Sequence, residues 1–373
     1  MVLFLHTRYR TTGGEERTVE DLAWLVREQL GEPARLLSRD SEHLGRTRAA
    51  VGLLRGGLAP AEIAAAVADG GARVLHAHNL QPTLGWRALA AARGAGARVV
   101  LHLHQYRLVC ATGVCFTGGR ECTRCHGRNT LPGVLRNCRD NRAEALAYGV
   151  GLALWQRRLL AQADATIVPS VFARERLREL GAPLAGARVH VLAPPLRTFA
   201  PASRAAAGEH ALLVSRLAPE KGVEVAIDAC RLAGVPLLVA GDGPLLPALR
   251  ERARGGDVRF LGHVDASRLA QLRDGAALAL APSRSAETFG LAAAEAMAAG
   301  VPVVASRVGA LPELVDEEGL VAPGDARALA EAIGRLWRAE RAGERALARV
   351  RAMCAPEVVA AGLAAVYAAA GSA

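Results

Sequence analysis

The chain has 373 residues, 51% hydrophobic but only 4% aromatic, and carries a formal charge of +10 with an isoelectric point near 9.9. That length exceeds what one core usually supports, so two domains are expected, and a composition rich in alanine and leucine favours helices on parallel sheets over an all-β fold. The positive charge is carried by arginine, with no dense basic run and no interleaved aromatics. It therefore argues against nucleic acid and leaves a phosphorylated substrate, an anionic membrane surface or simple arginine-rich coding. No apolar run approaches about 18 residues, and the start, MVLFLH, is too short for a secretory signal, which leads to the expectation of a cytoplasmic protein.

In chain order, Val2 to His6 reads as a strand, followed by a Gly13-Gly14 loop and a helix from about Arg17 to Leu30, with Thr18, Glu20 and Asp21 near its start. A strand, glycine-rich turn and helix is how a Rossmann-like half opens. An arginine-containing stretch of little readable pattern follows. Val74 to His78 is a second strand, Pro82 to Arg93 a helix, and Val99 to His104 a third strand in which His102 and His104 share a face. In open α/β sheets ligands bind at the carboxyl ends of strands, so His104 is a candidate to act on substrate, or else a structural histidine.

Residues 110 to 138 hold five of the seven cysteines, Cys110, Cys115, Cys122, Cys125 and Cys138, among many glycines. The Cys122-x2-Cys125 spacing lets two thiolates reach one tetrahedral ion. Cys110, Cys122, Cys125 and Cys138 are the expected ligands of a structural zinc, with reduced or redox-sensitive thiols as the alternative. Four thiolates leave no open position, so such a metal would not be catalytic.

A long helix is expected from Arg142 to Ala161, then a strand at Ala165 to Pro169, a helix at Val171 to Leu180 and a strand at Arg188 to Ala193. The proline- and alanine-rich run after Pro195 marks a boundary: an N-terminal domain over 1–195, a linker over 196–209, and a second domain over 210–355. That second half repeats the strand–helix alternation, which means parallel sheets covered on both faces. Residues 356–373 read as an apolar helix without a basic polar face, expected to pack back on the N-terminal domain rather than to anchor at a membrane.

Two stretches of the second half carry chemistry. Ser283 to Val304 reads strand, loop, helix, strand, with Glu287 before the helix start and Glu295 about one turn inside it. The free amides of a helix start at Gly290 and Leu291 could hold a phosphate, and flanking carboxylates suit hydroxyl groups, as a nucleotide-sugar would offer. Arg216 and Lys221 share a loop directly after a strand, where two cations can neutralise a diphosphate. Lys221 is the only lysine in the chain. There is no Asp-x-Asp for a bridging magnesium, so no cofactor is expected in catalysis and the neutralising charge falls to the protein.

Ser215-Arg216-Leu217 with Glu220-Lys221-Gly222, Ala240-Gly241-Asp242-Gly243-Pro244, Phe260-Leu261-Gly262-His263, and Pro282-Ser283 with Glu287-x7-Glu295 and Gly300-Val301-Pro302-Val303-Val304 stand in order from 210 to 316. The set resembles the donor-binding half of the retaining GT-B glycosyltransferases of family four. A looser likeness in the first half includes Gly13-Gly14-Glu15, His104 with Tyr106-Arg107-Leu108, Pro169-Ser170-Val171-Phe172 and a cysteine block like that of one subgroup. Two departures stand out: Ala193-Pro194-Pro195-Leu196 replaces the usual Pro-Asn-Gly, and Gln105 stands where an aspartate is common, so the partner that would orient His104 is expected to be absent or different.

The resemblance implies two Rossmann-like domains facing a cleft, a nucleotide-sugar donor, and a glycan or lipid-linked acceptor. Arg216 and Lys221 would bind the diphosphate with the Gly290 and Leu291 amides; Glu295 would hold the ribose and Glu287 the sugar. His104 would lie near the anomeric carbon, Gly14 would close over the diphosphate, and Gly241 and Phe289, within the matched motifs, would help line the donor site. The enzyme would be cytoplasmic, in peripheral contact with the inner face of an anionic membrane. The competing expectation is a catalytically inactive zinc-containing binding or regulatory protein on the same fold.

Overall fold

The computed structural model describes residues 1–371 apart from 9–12, 41–43, 185 and 187, and divides into two compact units. The first comprises residues 1–117, 122–195 and 356–373; the second comprises 118–121 and 196–355.

In the first unit, β1 (Val2–Arg8), α1 (Gly14–Glu28), β2 (Ala34–Asp40), α2 (Arg46–Arg55), α3 (Pro60–Gly70), β3 (Val74–Ala77), α4 (Gly85–Gly94) and β4 (Arg98–His102) come first. Strand β5 (Phe116–Thr117) and a short α5 (Leu131–Leu135) lie within the cysteine segment, as does β6 (Arg120–Glu121), which is counted with the second unit. Then follow α6 (Arg142–Ala161), β7 (Ala165–Val168), α7 (Val171–Glu179) and β8 (Val189–Val191). The sheet order is β2-β1-β3-β4-β7-β8, every pair parallel. Strand β4 ends at His102, so His104 sits two residues beyond the strand expected to carry it. Asn141 and Ser170 cap α6 and α7 by accepting from the amides of Glu144 and Ala173, which fixes where those helices begin.

The second unit runs β9 (His210–Val214), α8 (Val223–Ala233), β10 (Leu237–Ala240), α9 (Leu246–Arg252), β11 (Val258–Gly262), α10 (Ala266–Asp274), β12 (Ala276–Ala281), α11 (Leu291–Ala298), β13 (Val303–Ser306), α12 (Leu311–Leu314), β14 (Leu320–Val321), α13 (Ala326–Leu336) and α14 (Glu340–Cys354). Its order, β11-β10-β9-β12-β13-β14, is that of a dinucleotide-binding sheet with a topological switch point between β9 and β12. Strand β12 is apolar and almost wholly buried, as a central parallel strand covered on both faces must be.

Within the segment Glu340–Ala369 an 18-residue stretch has a mean hydropathy of 1.6, apolar enough to cross a membrane by length and composition alone. It is broken at Ala355 before Pro356, and α15 (Pro356–Ala369) buries Val359, Ala360, Leu363, Val366 and Tyr367 in the core of the first unit with Phe4, Leu22, Val100 and Ile167. Helix α14 buries Leu347, Val350 and Cys354. Both helices spend their apolar faces inside a protein core.

Candidate active site

The loops that leave β9 and β12 flank the switch point of the second unit, and both sequence-predicted charge clusters sit on them. Lys221 ends a 3-10 turn over Pro219–Lys221, and its Nζ donates to Glu287 Oε1 at 2.7 Å. Ser283 Oγ donates to the same oxygen at 2.6 Å. Burial pushes the Glu287 carboxyl up, but the Lys221 charge and the hydrogen bonds from Lys221 and Ser283 outweigh it and hold the group below the ordinary glutamate value. Glu287 is therefore an anion with its two donors already in place.

Arg216, exposed on the same loop, pairs with the buried Glu220, whose carbonyl in turn accepts from the Arg284 amide at 2.8 Å. The loop is thus tied to the start of the β12 loop by backbone as well as by charge. Gly290 holds a left-handed φ of 101° and starts α11, whose first amides have no partner within the helix. Leu291 opens the helix and Phe289 is buried just before it. Gly241, after β10, donates to Gly262 O at 2.7 Å.

Glu295 lies one turn into α11 and pairs with Arg273 of α10, both about seven-eighths buried. The sequence reading missed Arg273, because the partner comes from another helix. It also missed Gly309, whose left-handed backbone lets Glu287 pass: a Cβ there would lie 2.3 Å from both the amide nitrogen and the carbonyl oxygen of Glu287.

In the first unit, Gly14 is the first residue of α1, and the Gly13 amide donates to Glu16 Oε2 at 2.9 Å. His104 is half-buried, and its Nε2 lies 2.8 Å from His78 Nδ1. Gln105 Nε2 donates to Glu15 Oε2 at 3.0 Å. His76, His78, His102 and His104 form a stack with ring centroids 4.2 to 5.4 Å apart. The register makes it: Val100 pairs with His76, and steps of two along β3 and β4 keep the other three on that face. Two sequence patterns, LHAH and LHLH, carried this signal, and only their pairing across the sheet reveals it.

Burial drives the His76 pKa down to about 3, with the His104 charge a second cause. Burial also pushes His78 and His102 well below the usual histidine value, and lowers His104 against the opposing charge of Glu15.

The cysteines line one cavity: Cys110, Cys122, Cys125 and Cys138, with Cys115, which the expected ligand set omitted. All seven cysteines are free thiols. A zinc with four thiolates at about 2.3 Å brings its sulfurs within about 3.8 Å of one another. Among the described residues, the group whose donor atoms fall within 4.8 Å of one another is instead His76, His78 and His102. The thiols share a cavity of the right chemistry, and closing a four-sulfur site would require them to converge.

Two parallel Rossmann-like sheets, the second with paired cationic and acidic loops at its switch point, define the GT-B class of fold. Over 99% of the chain the structure resembles sucrose-phosphate synthase from Thermosynechococcus elongatus, with a TM-score of 0.71, 20% identity and 98% of that chain covered. It also resembles Anabaena Alr3699/HepE in complex with UDP and glucose, with a TM-score of 0.65, 19% identity and 99% of both chains covered. The chain belongs to the group 1 glycosyl transferases: residues 208–339 match that family and residues 9–195 match the glycosyl transferase 4-like domain. A curated relative, the GDP-mannose-dependent alpha-(1-6)-phosphatidylinositol dimannoside mannosyltransferase of Mycobacterium tuberculosis (strain ATCC 25177 / H37Ra), is 36% identical over 211 residues, 52% of this chain and 55% of that protein. The chain spans about half the length of these curated relatives.

Proposed function

We propose that the protein transfers a hexose, with retention of anomeric configuration, from a nucleoside-diphosphate sugar to a glycan or lipid-linked acceptor in cell-surface polysaccharide or glycolipid synthesis. The observation that carries this reading is the Lys221–Glu287 contact across the switch point of the second unit, beside the start of α11. A diphosphate is bound there by Lys221, Arg216 and the Gly290 and Leu291 amides, while Glu287 and Glu295 accept from sugar and ribose hydroxyls. Gly241 and Phe289 line the same pocket. His104 and Gly14 act from the first unit, His104 near the anomeric carbon.

The bond from the anomeric carbon to the diphosphate breaks as the bond to the acceptor oxygen forms on the same face, and the acceptor proton goes to the departing diphosphate. The cations stabilise charge that grows on the leaving group, so no protein nucleophile is needed. The protein works on the cytoplasmic face of the membrane, in peripheral contact with it.

A structural zinc is proposed for Cys110, Cys122, Cys125 and Cys138, and the cavity that these thiols share supports it. It would hold the cysteine segment closed and take no part in transfer. About one equivalent of zinc after purification without added metal is the expected result; less than about half an equivalent rejects the site.

The function is tested with a panel of GDP-, UDP- and ADP-sugars. Slow donor hydrolysis and a thermal shift with one of them are expected. A protein that responds to none is not a glycosyltransferase of this kind.

A further inference from the structure

Five histidines converge near the carboxyl ends of β1, β3 and β4: His6, His76, His78, His102 and His104. Three of them, His76, His78 and His102, bring nitrogens within 4.8 Å of one another, which invites a metal. The planes of these rings are inclined to one another by only 9° to 28°, so rings that meet edge to edge can pair nitrogen to nitrogen within their planes.

Hydrogen bonds link the stack instead. Tyr367 OH lies 2.8 Å from His76 Nδ1, His76 Nε2 lies 3.3 Å from His102 Nδ1, and His78 Nδ1 lies 2.8 Å from His104 Nε2. In that last pair one nitrogen must carry the proton and the other the lone pair.

The far side of His78 decides which. His78 is 3% exposed, and its Nε2 is buried with no hydrogen-bond partner among the described residues. If His78 were protonated on Nε2, an N–H would be buried with nothing to receive it; if protonated on Nδ1, only a lone pair is left unmatched. Orphaned buried N–H groups are the rarer and costlier case. A doubly protonated His78 is disfavoured by burial among neighbouring imidazoles.

We propose that His78 is a positioning residue: its Nδ1–H donates to His104 Nε2 and holds the neutral His104 in the tautomer protonated on Nδ1. His78 does the work that a carboxylate beside His104 would otherwise do, with opposite polarity. A carboxylate accepts from the ring and favours the imidazolium; His78 donates to it and favours the neutral form. His104 then meets the sugar as a neutral hydrogen-bond donor and cannot accept a proton at Nε2 without breaking its support. This inference rests on the reading of His104 as a group that touches the transferred sugar.

The test uses the full-length protein labelled with 15N in histidine, with His104 signals assigned by their loss in His104→Asn. In the wild type, His104 is expected to show a protonated Nδ1 and an unprotonated Nε2. A protonated Nε2 overturns the tautomer assignment. His78→Leu, which cannot donate, is expected to lower kcat by about 10- to 100-fold with the donor KM within about threefold. His78→Asn places an amide N–H near the old Nδ1–H and is expected to restore most of the rate. Full activity in His78→Leu, or equal damage in both variants, overturns the positioning role. Normal transfer by His104→Ala sinks the reading of the site itself, whatever the tautomer proves to be.

Discussion

Lys221 and Glu287 are 66 positions apart in the chain and 2.7 Å apart in the structure, the ammonium of one spent on the carboxylate of the other. In the proposed site a donor diphosphate would share Lys221 with Glu287, so the only lysine in the chain would serve both the diphosphate and the carboxylate proposed to read the sugar. Lys221→Ala is expected to lower kcat/KM for the donor by about 100- to 1000-fold. Initial rates with the responsive donor measure it, and an unimpaired variant would remove Lys221 from the mechanism. Because the Glu287 pKa is depressed, the pair's contribution to stability is present above the unfolded carboxyl value of 4.5 and is lost as pH falls through the lower folded one.

Arg273→Met leaves the Glu295 carboxylate in a largely buried place without its guanidinium. A loss of about 3 to 5 kcal/mol is expected, read from denaturant midpoints. Adding Glu295→Gln should recover most of that stability without recovering donor affinity, because the amide relieves the buried charge but binds the ribose less well. Recovery of both would show that Glu295 serves Arg273 and not the donor.

The histidine stack predicts a different acid limit. His76, His78, His102 and His104 have folded pKa values below the unfolded value near 6.5, so they take up protons more readily when unfolded. The stability of the first unit is fully present above about pH 7 and is lost progressively below it, at up to about 1.4 kcal/mol per pH unit for each histidine. The groups facing the stack are His6, Glu15 and Glu16 from β1 and α1 and Tyr367 from α15. A melting temperature that stays level between about pH 7.5 and 5 would contradict this. His102→Leu should make the slope shallower by about one proton.

Gly309→Ala forces a methyl against the backbone of Glu287 at a position where φ is +60°. An expected stability cost of about 1 to 3 kcal/mol accompanies a loss of donor turnover larger than the melting shift explains. Wild-type turnover in a folded variant would show that Glu287 tolerates displacement.

The second unit is the more legible in sequence. Its apolar runs are separated by glycine and proline breaks, and those breaks alone locate the loops after β9 and β12. What the sequence does not show is pairing across distance. Arg273 and Glu295 are 22 residues apart on different helices, and nothing local links them. The stretch holding β2, α2 and α3 is hard to read because arginine and glycine interrupt its periodicity, and α14 because half of its buried face is alanine and glycine beside arginine. The alternation of VVLHLH points to His104 as a strand end, but β4 stops at His102. The stack that supports His104 needs the register of β3 against β4, which only the folded sheet supplies.

Helix α15 has a consequence for how the chain is made. It supplies Val359, Leu363, Val366 and Tyr367 to a core whose other members begin at Val2, and Tyr367 closes the chain of hydrogen bonds at His76. On a ribosome, residues 196–355 can close their own sheet as they emerge, while the half translated first waits with an open hydrophobic face until residue 370 has left the exit tunnel. The unit that starts first finishes last.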